Sequence, residues 1–399
     1  MPSQLAQRIV NLSPYVFAGL EKRIAELAAA GRRDIIRLDV GSPDQPPAPH
    51  IIEALYQSAQ DPTHHGYPGY SGIPSLRKAM TDYYLRRFGV ELDARTEVLP
   101  LIGSKEGIFN LNLAYVEPGD IVLAPDPGYP TYTAGAQLAG GEVCRVPLDE
   151  ANGWLPDFDA IPQETCRRAK ILWLNYPNNP TTATASLEFF ARAVAFARKY
   201  SIVLAHDNPY CDVCFDGYVA PSLLQVPGAK DVAVEFNSLS KAYNMGGWRI
   251  GMVYGNPDVI AALGRLKTNI DSGVFRAIQD ASVQALTGDQ EWISERNDVY
   301  ARRRDMVLDA LPAAGMSAQT PRGTIYIWAR IPASRGATRA ITSGEFCDQL
   351  LVTAGVSITP GPAFGKQGEG YVRFSLGQKT ERIAQAMERL ANFKLSIDN

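Results

Sequence analysis

Between residues 98 and 254, short apolar runs alternate with helix-period segments, and this alternation constrains the fold more than any other feature of the chain. The runs at 98–102, 121–124, 143–147, 170–174, 202–205, 232–236 and 250–254 have the length and apolar content of buried strands. Segments with helical periodicity lie between them, at 108–115 and 187–200 among others. Strands joined by helical crossovers form a mostly parallel sheet with helices on both faces, which is why the strands are apolar throughout. The predicted class is α/β, and in such sheets ligands sit beyond the carboxyl ends of the strands.

Three successive strands end in polar groups. The run 170–174 leads into Asn175-Tyr176-Pro177-Asn178-Asn179-Pro180-Thr181, where two prolines stiffen the backbone around adjacent asparagines. The next strand ends in His206-Asp207-Asn208-Pro209-Tyr210, and the one after it in Ser238-Leu239-Ser240-Lys241. Burial lowers the pKa of a lysine toward the range where its amine attacks a carbonyl. Taken alone, Ser-x-Ser-Lys fits a solvated loop equally well, and Gly41 at the break after 35–40 fits a simple turn as well as a close backbone approach. Gly103-Ser104-Lys105 precedes a predicted helix and so offers unpaired amides to an anion.

The flanks differ in character. A helix-period segment at 13–31 and a strand at 35–40 precede the alternating region, and Pro74 opens a further helix. Beyond 254 a helical stretch runs to 311, with breaks near 271–273 and 288; strands at 325–331, 356–359 and 371–375 then alternate with helices at 343–353 and 380–392. This suggests a large domain at 46–285 and a smaller α+β domain built from 1–45 and 286–399.

Composition narrows the partners. With a formal charge of -3 and scattered basic residues there is no footprint for nucleic acid, so a small-molecule substrate is expected. No apolar run is long enough to span a bilayer and the first residues lack a signal-peptide core, so no membrane role and a cytoplasmic location are expected. Five cysteines in a long chain fit a reducing compartment. Cys211-Asp212-Val213-Cys214 has metal or redox spacing, but without a second pair it is assigned to packing, and no metal is expected.

Together these residues meet the needs of pyridoxal phosphate. Asp207 would face the pyridine nitrogen, Asn179 and Tyr210 the phenolic oxygen, and Lys241 the aldehyde; Ser238, Ser240, Arg249, Ser104 and Lys105 would hold the phosphate, and Tyr129 would stack on the ring. The chain resembles the fold-type I pyridoxal-phosphate aminotransferases of class I/II over nearly its whole length. The matching pieces are the loop Tyr67-Pro68-Gly69-Tyr70-Ser71-Gly72, the Gly103 turn, the segment at Asn179, Asp207 with Tyr210, the lysine motif with Arg249, Pro360-Gly361 and Arg373-Phe374-Ser375. The resemblance implies that Lys241 is the Schiff-base lysine and that Arg373 forks onto the substrate α-carboxylate, with the Gly41 backbone as a second contact. It also implies that Tyr67 reaches the phosphate of a neighbouring subunit, in a homodimer with shared active sites. Thr182 stands where the family usually has glycine, and a positive φ there would strain it.

A finer resemblance, to the LL-diaminopimelate aminotransferases, rests on 216–218, 234–241 and especially Lys267-Thr268-Asn269-Ile270-Asp271-Ser272-Gly273-Val274-Phe275. It implies amino-acid and 2-oxo-acid substrates, LL-2,6-diaminopimelate with 2-oxoglutarate, in lysine biosynthesis, by a ping-pong cycle through pyridoxamine phosphate. Tyr15, Lys105, Asn269 and Asp271 become candidates for the distal end of that substrate. Tyr70 replaces the glutamate that plant-type members carry. The alternatives are an aspartate, alanine or aromatic aminotransferase, a beta-lyase or decarboxylase on the same fold, and a cofactor-sensing regulator.

Overall fold

The computed structural model describes residues 4–12, 16–32, 34–332 and 340–395. Thirteen strands are present in these residues. They are β1 (Ile36–Arg37), β2 (Val98–Leu101), β3 (Ile121–Asp126), β4 (Glu142–Pro147), β5 (Ala169–Leu174), β6 (Val203–Asp207) and β7 (Ala233–Ser238). After them come β8 (Gly251–Gly255), β9 (Ser317–Ala318), β10 (Tyr326–Arg330), β11 (Val356–Ser357), β12 (Thr359–Pro360) and β13 (Tyr371–Ser375). Seven of them form the central sheet in the order β2-β8-β7-β6-β5-β3-β4. β8 runs antiparallel to both its neighbours and the other pairings are parallel, so the sheet is mostly parallel, as the alternating pattern implies.

Strand alternation divides the buried residues of this sheet between two layers. Leu172, Leu174 and Leu204 pack with Phe190 and Ala193 of the helix Leu187–Tyr200 and with Tyr83 and Tyr84 of the helix Pro74–Phe88. Ile171, Trp173 and Phe236 pack instead with Ile108 and Leu111 of the helix Ser104–Tyr115, with Tyr132, and with Leu263 of the helix Pro257–Lys267. Each fully buried large side chain contributes about 2–3 kcal/mol.

Local chemistry sets the helix ends. Pro74 occupies the first turn of its helix, where a missing N–H costs nothing, and Gly89 closes it in the left-handed region at φ 66°. Ser186 caps the helix Leu187–Tyr200 by accepting from the Phe189 amide at 3.2 Å. The helix after β2 begins at Ser104, four residues before the predicted 108, because its first turn is polar and carries no hydrophobic periodicity.

A second core joins the two ends of the chain. Ile36 and Leu38 pack with Val307, Ile327, Phe346, Val356, Phe374 and Leu390. β1 pairs in parallel with β11, and β12-β13-β10-β9 form an antiparallel sheet beside them. The predicted strand at 35–40 keeps its ladder only at Ile36–Arg37, and that at 356–359 is split into β11 and β12. Among the described residues no helix is long and apolar enough to cross a membrane.

Candidate active site

The carboxyl ends of β5, β6 and β7 open into a cavity of about 440 Å³ that also takes residues from the segment after β1, Asp39 to Ser42, and from β10 and β13. Lys241, Asp207, Tyr210, Asn179, Ser104, Lys105, Tyr129, Ser238, Ser240, Arg249, Gly41 and Arg373 all line it.

Lys241 lies in the one-turn helix Leu239–Ala242 that follows β7, capped by Ser238, whose hydroxyl accepts from the Ser240 amide at 3.2 Å. Its amine donates to the Gly41 carbonyl. Burial lowers the lysine pKa and the charges of Arg373 and Arg249 lower it further, against an opposing pull from Tyr326. Glycine is needed at position 41 because a Cβ there would collide with the Tyr326 hydroxyl.

Asp207 closes β6. One carboxylate oxygen accepts from Tyr132 at 2.8 Å, and the other has no hydrogen-bond partner among the described residues. Burial pushes its pKa up to about 6, although Tyr132 and His206 favour the charged form. Asn175 donates to the Asp207 carbonyl at 2.6 Å and accepts from the Asn179 amide at 2.7 Å, which joins the β5 and β6 ends. Tyr210 donates to the Tyr326 hydroxyl at 3.2 Å. Burial alone would raise the Tyr326 pKa, but Arg373, Lys241 and the Tyr210 hydrogen bond together bring it below the ordinary phenol value.

At one end of the cavity, Arg373 donates to the Asn179 side-chain oxygen at 2.7 Å and to the Asp39 carbonyl at 3.0 Å. Its guanidinium lies 4.1 Å from the Tyr326 ring centroid and 4.6 Å from that of Phe364, so stacking holds it flat. At the other end, Ser104 and Lys105 begin a helix, and Arg249, at φ 58°, is fixed by donating to the Gly246 carbonyl at 2.9 Å. Burial and the nearby Arg249 charge lower the Lys105 pKa. Two cations, three serines and a helix N-terminus at one place suit a phosphate.

Some sequence-based assignments fall elsewhere. Asn269 does not line the cavity, because the helix Pro257–Lys267 ends just before it and its amide turns back to donate to the Arg265 carbonyl at 2.9 Å. Asp271 is likewise turned away, accepting from the buried Lys267 at 2.6 Å. Tyr67 is 90% exposed and lies off its own chain's cavity. Tyr15 lies outside the described residues. Thr182 does adopt a positive φ, 63°, with its amide donating to the Asn178 carbonyl at 3.0 Å. Cys211 is buried and takes a hydrogen bond from the Asn237 amide at 3.2 Å, in keeping with packing.

The cavity also holds residues the motifs do not announce. Tyr326, Asn175, Asp39 and Glu21 line it, and Tyr132 backs it. Tyr326 sits within an apolar strand, where nothing separates it from a core aromatic.

The residues present fit pyridoxal phosphate. The unpartnered oxygen of Asp207 suits a protonated ring nitrogen, the lowered Lys241 amine suits an aldehyde, and the donor cluster at Ser104 and Arg249 suits a phosphate dianion. The sequence pattern described as Aminotransferase class I and II matches residues 33–390, so the chain belongs to this family of pyridoxal-phosphate-dependent transferases. Among curated relatives, the LL-diaminopimelate aminotransferase of Moorella thermoacetica is 50% identical over 97% of each chain, and that of Desulforudis audaxviator is 52% identical over 96% of each. Among solved structures, substrate-bound BacF from Bacillus subtilis superposes with a TM-score of 0.92 at 36% identity, covering 98% of each chain. The aspartate aminotransferase of Rhizobium meliloti gives 0.90 at 28% identity, with the same coverage.

Proposed function

We propose that this aminotransferase moves an amino group between LL-2,6-diaminopimelate and 2-oxoglutarate in a ping-pong cycle, a step of lysine biosynthesis. The observation that carries this reading is the identity of about half of all residues, over nearly full length, with relatives bearing that activity. The lining of the cavity supports an aminotransferase, because Lys241, Asp207, Arg249 and Arg373 all face the same space.

Bound pyridoxal phosphate supplies an electron sink for the charge that develops at the substrate α-carbon. The protein's own groups do the rest. Asp207 would hold the proton on the ring nitrogen, its carboxylate oriented by Tyr132. Asn179 and Tyr210 would donate to the phenolic oxygen, Tyr129 would cover the ring, and Ser104, Lys105, Ser238, Ser240 and Arg249, which all line the cavity, would bind the phosphate. Lys241 would be the residue that holds the aldehyde, and its Nζ, when free, would be placed to take the proton from the substrate α-carbon. Arg373 and the Gly41 backbone seat the α-carboxylate.

The exposed Tyr67 fits a homodimer in which it reaches the neighbouring phosphate. We further assign 46–285 to a large cofactor-binding domain and 1–45 with 286–399 to a small one, and place the enzyme in the cytoplasm. The test is half-transamination: the holoenzyme is mixed with single amino acids and the cofactor absorbance followed. Conversion by LL-diaminopimelate is expected. Strong conversion by aspartate or alanine with none by diaminopimelate rejects the substrate, and release of pyruvate and ammonia from cystathionine without an oxo acid points to a lyase.

A further inference from the structure

Among the described residues three carboxylates line the active-site cavity: Asp207, Asp39 and Glu21. Asp207 serves the cofactor ring. Asp39 has a side chain only 2% exposed, and both its oxygens accept from Arg37, at 2.8 and 2.7 Å. Glu21 differs. It projects from the helix Val16–Ala29 with its side chain 59% exposed, accepting from Arg37 at 2.6 Å through one oxygen and at 3.2 Å through the other. A carboxylate offers about four acceptor positions, so two donors leave it able to receive a further cation.

Its position relative to Arg373 is set by the backbone. Arg373 donates to the Asp39 carbonyl, the Asp39 carboxylate holds Arg37, and Arg37 holds Glu21. One side of the cavity wall thus runs from a fork for a carboxylate to an open acid. A substrate that is an amino acid at both ends brings a second ammonium to the region away from its Arg373-bound carboxylate. Of the cavity's acids among the described residues, only Glu21 is both half-open to solvent and held in place by a guanidinium.

We propose that Glu21 is a specificity residue that receives the distal ammonium of a diamino dicarboxylate substrate, with Arg37 as the positioning residue that aims its carboxylate. This rests on the substrate reading given above. The attraction is electrostatic and partly solvated, so its worth lies in discrimination between donors rather than in overall rate.

The test compares half-transamination of the holoenzyme by LL-2,6-diaminopimelate and by L-2-aminopimelate, which has the same chain and both carboxylates but no distal amine. The wild type is expected to favour diaminopimelate. Glu21→Gln lowers the ratio of the two second-order rate constants roughly tenfold, Glu21→Lys lowers it further, and Glu21→Asp retains part of it. Equal losses on both donors, with the ratio unchanged, overturn the proposal and reduce Glu21 to a tether for its helix, while the substrate reading stands. A wild type that ignores diaminopimelate overturns the substrate reading and this proposal with it.

Discussion

The Tyr132 hydroxyl lies 2.8 Å from one oxygen of Asp207, and the same ring stacks 4.9 Å from Trp173, nearly parallel to it, in the core beneath the sheet. The acid is thus aimed by a residue whose own place is fixed by packing. A carboxylate in that setting is costly to ionise until a cation faces it.

Asp207 accordingly sets a stability trade-off in the cofactor-free protein. Its pKa rises on folding from 3.8 to about 6, so the folded state binds the proton more tightly and this group's contribution to stability falls as pH rises through that window. Asp207→Asn removes the penalty. The cofactor-free variant should be more stable than its parent by on the order of 2 kcal/mol at pH 7, with the difference gone below about pH 4, while turnover is lost. Denaturant melts of both proteins at the two pH values check this, and a gap that does not change with pH refutes it.

Lys241→Ala should fold normally and still take up pyridoxal phosphate through the phosphate contacts, yet lose turnover by about a thousandfold or more. Borohydride treatment followed by mass spectrometry should fix the cofactor to the Lys241 peptide of the parent and to no peptide of the variant. Normal turnover in the variant removes the assignment.

Arg373→Lys keeps the charge but loses both the fork and the stack between Tyr326 and Phe364. The expected result is a KM for amino acid and oxo acid substrates raised about tenfold or more, with an unchanged affinity for cofactor. An effect of equal size on cofactor affinity would place Arg373 in the general support of the cavity instead.

Thr182 is β-branched and sits at φ 63°, a region that a residue with a Cβ enters at a cost. Thr182→Gly should therefore raise stability by about 0.5–1 kcal/mol, seen as a higher Tm, without altering KM. A lower Tm would mean that its buried side chain contributes more than the backbone strain costs.

The strand-end residues were legible in the sequence for a physical reason. Asn179, Asp207 and Lys241 follow apolar runs whose length and spacing imply a parallel sheet, and such a sheet brings its carboxyl ends together whatever the details of the helices. Tyr326 and Glu21 come from other parts of the architecture. Tyr326 reaches the cavity because β10 pairs with β13 in one particular register, Tyr326 opposite Ser375, which no local pattern encodes. Glu21 reaches it because its helix is held to the β1 segment through Arg37, a matter of docking rather than of periodicity. Asn269 lies off its own chain's cavity for the converse reason: a helix end holds its side-chain amide, and only the helix boundary reveals that. The antiparallel course of β8 was equally silent, since a buried strand has the same composition in either direction.

The pairing of β1 with β11 has a consequence for how the enzyme is made. Asp39 and Arg373, which touch in the cavity wall, are separated by 334 residues of chain. On the ribosome the first of them emerges long before the second has been translated, so the sheet can assemble while the substrate pocket stays open on one side. Catalytic competence is then gained only after the strand carrying Arg373 has been made and docks against a segment that has waited for it.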